Sequence, residues 1–369
     1  MSLEGELVVR IETRLGKVTR ALARPERPRV ANRLFAGRGA NEAPVLAGTL
    51  FAICGCSQAV ASEAAIEAAR GLRAPESLQA ARDARIAAET IQEHAWRLLV
   101  DWPRLAGRAP EVEALSRGRK ALAPLLDATG EKEPVQARDD IVAWASEAVF
   151  GRSPGEFVAI DSLDGLGKWM ATTATPVASL VSTLLARKPG LGASDVELLP
   201  YGDDRWVAMA LAPAIDADPD FDDAPSWKGA PRETGALARV AGHPLVAEAV
   251  DKWGRGVGAR VVARLVDMAA AVLAFGGRHG AVALTGQAAI AWVETAHGLL
   301  VHRVALEGDR VAAYRIVAPT EWNFHPEGAF ARGALSLDAA DAARLEGEVR
   351  WLVASLDPCV AVRYEAGHA

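Results

Sequence analysis

The three cysteines fall at opposite ends of the chain, Cys54 and Cys56 in Ile53-Cys54-Gly55-Cys56 and Cys359 directly after Asp357-Pro358. A fold that uses them together must bring its two ends into one core. An odd count of thiols in 369 residues fits a reducing compartment better than a disulfide framework. The apolar lead-in to Cys54 passes through a glycine corner into an alanine-rich run from Ser57, which predicts a helix with both thiols at its N-terminus. There the helix dipole and free backbone N–H groups favour the thiolate, the form that binds metal. Soft thiolates suit iron, nickel, zinc or copper(I). The same pair also reads as two small buried hydrophobes, and Cys359 supplies a third sulfur only if the chain ends converge.

Helical periodicity dominates the rest. Ile91, Ala95, Leu98, Leu99 and Trp102 form one apolar stripe that also carries His94, a candidate cavity residue that reads more readily as a hydrogen-bonded core histidine than as a ligand. Leu345, Val349, Leu352, Val353 and Leu356 form a second stripe, with Ser336 as the expected cap and Asp357-Pro358 as the stop. Two hairpins are predicted, from Glu6–Glu12 with Val18–Ala23, and from Leu299–Leu306 with Val311–Val317. The expected fold is α+β, a mainly helical body with the hairpins packed at one side, in a single domain over 1–369, because a site joining both ends would be lost on cutting.

Several function classes are excluded. A net charge of −6 without a Lys/Arg stripe gives no footprint for nucleic acid. No apolar run nears the roughly 20 residues of a membrane helix, and MSLEGELVVR carries acids where a secretion signal needs cations, so no membrane insertion and a cytoplasmic location are expected. Asp216, Asp218 and Asp220 alternate like a calcium loop, but Phe221 and Trp227 stand where glycine and the bidentate glutamate belong. The glycines at 254, 256 and 258 lack nucleotide-binding spacing, and hydrolase motifs are missing.

The landmarks taken in order resemble the nickel-iron hydrogenase large subunit. Ile53-Cys54-Gly55-Cys56 and Asp357-Pro358-Cys359 are similar to its N-terminal Arg-Ile-Cys-Gly-Val-Cys and C-terminal Asp-Pro-Cys-x-x-Cys. Ile91-Gln92-Glu93-His94 resembles its Ile-Gln-Asp-His, and Gly235 to Arg239, followed by Ala259-Arg260 and Ala263-Arg264, its Gly-Pro-Leu-Ala-Arg region. Glu294-Thr295-Ala296-His297-Gly298 resembles its Glu-Ala-Pro-Arg-Gly, and Val317-Ala318-Pro319-Thr320-Glu321-Trp322-Asn323 its Val-Pro-Thr-Thr-Trp-Asn. Glu4 and Glu12 lie near strand motifs of that family's proton path. The chain departs at the metal cage: Ala52 replaces arginine, the first motif is Cys-x-Cys, Val362 and Glu365 stand at the second cysteine and the histidine of the last motif, and His297 replaces an arginine aimed at the metals.

This eroded frame resembles the HupK/HoxV group of hydrogenase expression and formation proteins. The resemblance implies a maturation scaffold that transiently holds an iron carbonyl-cyanide unit on Cys54, Cys56 and Cys359, with Glu294, His297, Asp357 and His94 lining the cavity. Nickel is possible, but its ligand set is incomplete. The implied partners are a hydrogenase large subunit and small maturation chaperones. A shortened catalytic subunit and a metal-free structural partner of hydrogenase remain open alternatives.

Overall fold

The computed structural model describes residues 5–26, 30–51, 53–126, 134–200 and 203–365; Glu4 and Ala52 lie outside the described residues. The ends of the chain meet in a three-stranded sheet of order β2-β1-β7. In it β1 (Glu6–Arg14) pairs antiparallel with β2 (Lys17–Glu26) and parallel with the last strand, β7 (Ala361–Glu365). The second sheet, of order β3-β4-β5-β6, is an antiparallel meander of His279–Leu284, Ala288–Thr295, Gly298–Glu307 and Arg310–Val317. The two predicted hairpins therefore belong to separate sheets. The second acquires two further strands, because β4 is buried along its whole length and shows no alternation.

Five helices position the site. Helix α1 (Gly55–Ala69) packs across β3, β4 and β5. Helix α2 (Glu76–Trp96) runs on into a π-helical turn over Arg97–Asp101 and then Trp102–Leu105. Pro103 has no N–H to give Leu99 O, and the Glu111 N–H supplies that bond instead at 2.7 Å. Helix α3 (Val257–Ala274), buried over most of its surface, is the central rod against which α2 and the last helix pack. Short α4 (Pro319–Asn323) and α5 (Ala342–Leu356) complete the set. Asp341, not Ser336, caps α5 by accepting from Arg344 N, while the Ser336 hydroxyl bonds back to Gly333 O. The buried face of α5 is Leu345, Val349, Leu352, Val353 and Leu356, and Asp357 ends it in the left-handed conformation at φ 58°. Among the described residues no helix is long and apolar enough to cross a membrane.

Candidate metal-binding site

Helix geometry decides where the thiols point. Cys54 is the N-cap of α1, so Cys56 lies about 200° further round the axis, and the two sulfurs cannot face the same way once the helix has begun at Gly55. Gly55 is needed there, because a Cβ would come within 2.6 Å of Gly48 O. Cys54 turns inward and is 3% exposed; its thiol is hydrogen-bonded to that of Cys359, which is itself buried. Cys56 turns outward into an open groove lined also by Val45, Ile53, Arg85, Glu89 and Gln92. The structure thus brings two of the three predicted thiols together and leaves the third apart. Among the described residues no three His, Cys, Asp or Glu side chains form a set that could hold a metal ion.

Each inner thiol has a fixed support. The Cys359 N–H donates to Thr320 Oγ1 at 3.1 Å, and the Thr320 hydroxyl also lies 3.1 Å from Cys359 Sγ. Asn323, one turn on, donates to Leu356 O at 3.1 Å and accepts from Thr234 N at 2.9 Å, which ties α4 to the end of α5. Gln58 Nε2 reaches Cys54 Sγ at 3.7 Å, while its oxygen accepts from His302 Nε2 at 2.8 Å. The bond to Cys359, followed by burial, pushes the Cys54 thiol well above its usual range. Burial and the Glu89 charge raise Cys56 as well, against Arg85.

These shifts correct the expectation that the helix N-terminus would favour thiolates. Glu89 has already taken that terminus, accepting from Cys56 N at 2.8 Å, from Ser57 N at 3.0 Å and from the Ser57 hydroxyl. The free N–H groups are thereby satisfied, and a carboxylate stands where a thiolate would have gained from them.

The four other predicted residues belong to one buried polar network. Asp357 is its hub: its carboxylate accepts from Arg97 Nε at 2.6 Å, Arg264 Nη2 at 3.0 Å and His297 Nδ1 at 2.9 Å. Burial alone would raise this acid, but the three cations hold it well below the carboxylate range. His297 sits on the two-residue turn between β4 and β5; burial disfavours its charge, yet Asp357 raises it to about 9. His94 Nδ1 accepts from Arg264 Nη1 at 2.8 Å, so its proton lies on Nε2, 2.7 Å from Asp267. Burial, with the Arg264 and Arg239 charges, lowers His94 to about 4 and keeps it neutral. Asp267 accepts from Arg239 Nε at 2.8 Å, and Arg239 Nη1 donates to Glu294 at 2.8 Å, which closes the chain. Among the described residues, Arg264 joins His94 to Asp357, and Arg239 with Asp267 joins Glu294 to His94.

Sequence alone does not single out Arg97, Glu89 or Arg264 as participants. A signal was available. Glu89, Glu93 and Arg97 recur every four residues beside the apolar stripe of α2, and Arg260, Arg264 and Asp267 are spaced four and three apart on the otherwise apolar α3, so each helix carries a polar stripe inside the core. Val362, at the position of the missing cysteine, pairs with Leu7 in β7.

No protein-family model matches the chain. Among curated proteins it is 34% identical over 351 residues to the hydrogenase expression/formation protein HoxV of Cupriavidus necator, covering 91% of this chain and 90% of that protein. It is 32% identical over 367 residues to the hydrogenase expression/formation protein HupK of Rhizobium leguminosarum, covering 93% of each. Among solved structures it is similar to a [NiFeSe] hydrogenase variant of Desulfovibrio vulgaris Hildenborough, with TM-score 0.60 and 17% identity over 96% of this chain and 97% of that one. It is also similar to an NAD+-reducing [NiFe]-hydrogenase, with TM-score 0.59 and 18% identity over 93% of both. These structural likenesses establish the fold.

Proposed function

Because the chain belongs to the HoxV/HupK family of hydrogenase expression/formation proteins, we propose that it serves hydrogenase maturation as a carrier, holding an iron carbonyl-cyanide unit between Cys54 and Cys359 before transfer to a hydrogenase large subunit. The observation that carries this reading is the meeting of those two thiols in a buried polar niche, while Cys56 turns away and Val362 is held in a strand. Two thiolates can anchor one iron whose remaining ligands are diatomic; a nickel site built on four thiolates has no counterpart here. The chain is accordingly read as a maturation factor and not as a hydrogen-turning enzyme.

The residues around the niche have definable parts in this reading. Loading releases the two thiol protons to solvent and leaves two thiolates on the iron unit, and that buried negative charge needs cations nearby. Arg97 and His297 are those cations, both anchored on Asp357. Thr320 keeps Cys359 oriented, and Gln58 does the same for Cys54. The protonated, mutually bonded thiols favour release as much as capture, because reprotonation competes with the metal. A small maturation chaperone as donor, a large subunit as acceptor and a cytoplasmic hand-over complete the proposal.

The test is anaerobic purification of the protein from hydrogenase-producing cells, with metal analysis and an infrared spectrum in the carbonyl and cyanide stretching region. The expected result is iron with both kinds of band and without nickel, lost in Cys54→Ser and Cys359→Ser and retained in Cys56→Ser. Wild-type protein free of iron, or iron unchanged in both inner-cysteine variants, would overturn the reading.

A further inference from the structure

A second site lies where α3 meets the tip of the β4–β5 turn and the end of α5. Its small cavity is lined by Glu233, Thr234, Arg260, Arg264, His297 and Asp357, among others, and has room for about one water-sized species. Arg260 places Nε and Nη2 on the two oxygens of Glu233 at 2.8 and 3.0 Å. Arg264 uses Nη1 on His94 and Nη2 on Asp357, and His297 uses Nδ1 on Asp357. One nitrogen of each side chain is left over. Arg260 Nη1, Arg264 Nε and His297 Nε2 are buried and meet no acceptor among the described residues, on side chains that are 3%, 3% and 1% exposed.

Several neighbouring carbonyls are already engaged. The carbonyls of Glu233, Gly235, Ala236 and Leu356 already accept from Leu199 N, Arg239 N, Val240 N and Asn323 Nδ2. A buried donor left unmet costs about 1–3 kcal/mol, and more when it is charged. Two arginines and His297 line the cavity beside two carboxylates, Glu233 and Asp357, whose oxygens already accept from them. Water could accept these donors, but it would bring two protons of its own to a lining whose unmet groups are themselves donors. An anion only accepts, so it meets the unmet donors without adding one of its own.

We propose that this cavity is a binding site for a single-atom monovalent anion, a halide, held by Arg260, Arg264 and His297. Larger oxyanions such as sulfate do not fit the space. The site shares His297 with the proposed cargo niche, but Arg260 and Arg264 stand outside that reading, their other nitrogens holding Glu233, His94 and Asp357.

The experiment uses the full chain dialysed into halide-free buffer, with thermal unfolding followed against chloride, bromide or sulfate at matched ionic strength, and crystals grown in bromide. The expected result is a saturable rise in midpoint with either halide beyond that with sulfate, together with one anomalous bromide peak within hydrogen-bond distance of Arg260 and Arg264. The double variant Arg260→Met/Glu233→Met removes one donor without stranding its ion-pair partner, and should lose the halide-specific rise. Halides acting no differently from sulfate, an undiminished rise in the double variant, or a bromide-free cavity in the wild-type crystal would each overturn the proposal. The wild-type crystal decides the matter if the double variant does not fold.

Discussion

Replacing Asp357 by asparagine tests whether the charge on this hub organises the site. The side chain is 3% exposed and accepts from Arg97, Arg264 and His297 at 2.6–3.0 Å. Asparagine keeps the shape and tolerates φ 58°, so the backbone contribution is close to zero. What changes is that the cations face one another without their carboxylate, and breaking a buried ion pair on one side costs about 3–5 kcal/mol. The amide oxygen still accepts one donor and His297 can shed its proton, so the loss should fall near the lower figure. At ~2.1 cal/mol/K of unfolding entropy per residue, ~3 kcal/mol lowers the melting temperature by about 4 °C. Asp101→Asn is the control, because that acid pairs with the same Arg97 while 28% exposed, and should cost ~1 kcal/mol or less. A pH series adds a second readout. His297 has its folded pKa raised to about 9, above an unfolded value near 6.5, so its contribution is fully present below pH 6.5 and is lost as pH rises through 9. The shift corresponds to about 3 kcal/mol, so the gap between wild type and Asp357→Asn should be widest near pH 6 and narrow above pH 9. An Asp357→Asn protein that melts within ~1 °C of wild type at pH 6, or an Asp101→Asn protein that loses as much, would refute the reasoning.

Two further outcomes follow from burial. Alkylation of the folded protein, read by intact mass and peptide mapping, should label Cys56 in its open groove first and Cys54 and Cys359 only on unfolding; equal labelling of all three would contradict the inward turn of Cys54. On the acid side, His94 has its folded pKa lowered to about 4, so the unfolded chain binds a proton first and stability falls as pH drops from 6.5 towards 4, by about 3 kcal/mol from this residue. A His94→Gln variant should show a correspondingly flatter acid limb in denaturant titrations, and an unchanged limb would remove His94 as its source.

Local signals made much of the fold legible. The α5 stripe is buried as its spacing requires, and the β1–β2 and β5–β6 hairpins follow from β-branched runs around turn residues. Strand β4 escaped because Ala288–Thr295 is covered on both faces, and an apolar run without alternation does not announce its period. Strand β7 escaped because its pairing with β1 joins residues from the two ends of the chain, which no local window contains. At the site, the cysteine motifs marked the candidate residues, but not which way they turned. The start of α1 at Gly55 sets that direction, and the carboxylate that occupies the helix terminus comes from Glu89, more than thirty residues further on.

The arrangement also explains why this chain is not a single substitution short of a four-thiolate site. Placing a cysteine at Val362 would put the sulfur on β7, where the backbone is fixed by pairing with Leu7 and the side chain already packs against the core. Cys56 would still point about 200° away from Cys54, because the helix between them begins one residue too early for both to face inward. Recovering that second thiolate needs a residue inserted ahead of α1, so that the spacing becomes Cys-x-x-Cys and the two sulfurs fall three apart on one face. The loss of the fourth sulfur and the outward turn of the third are therefore separate departures, one at each end of the chain. What they leave is a two-thiol niche with Arg97 and His297 still in place through Asp357. In the proposed carrier role, a site with few ligands and an intact cationic surround suits a metal unit that must later leave: the cations would offset the thiolates that anchor it, and only two sulfur bonds would have to be exchanged for it to move on.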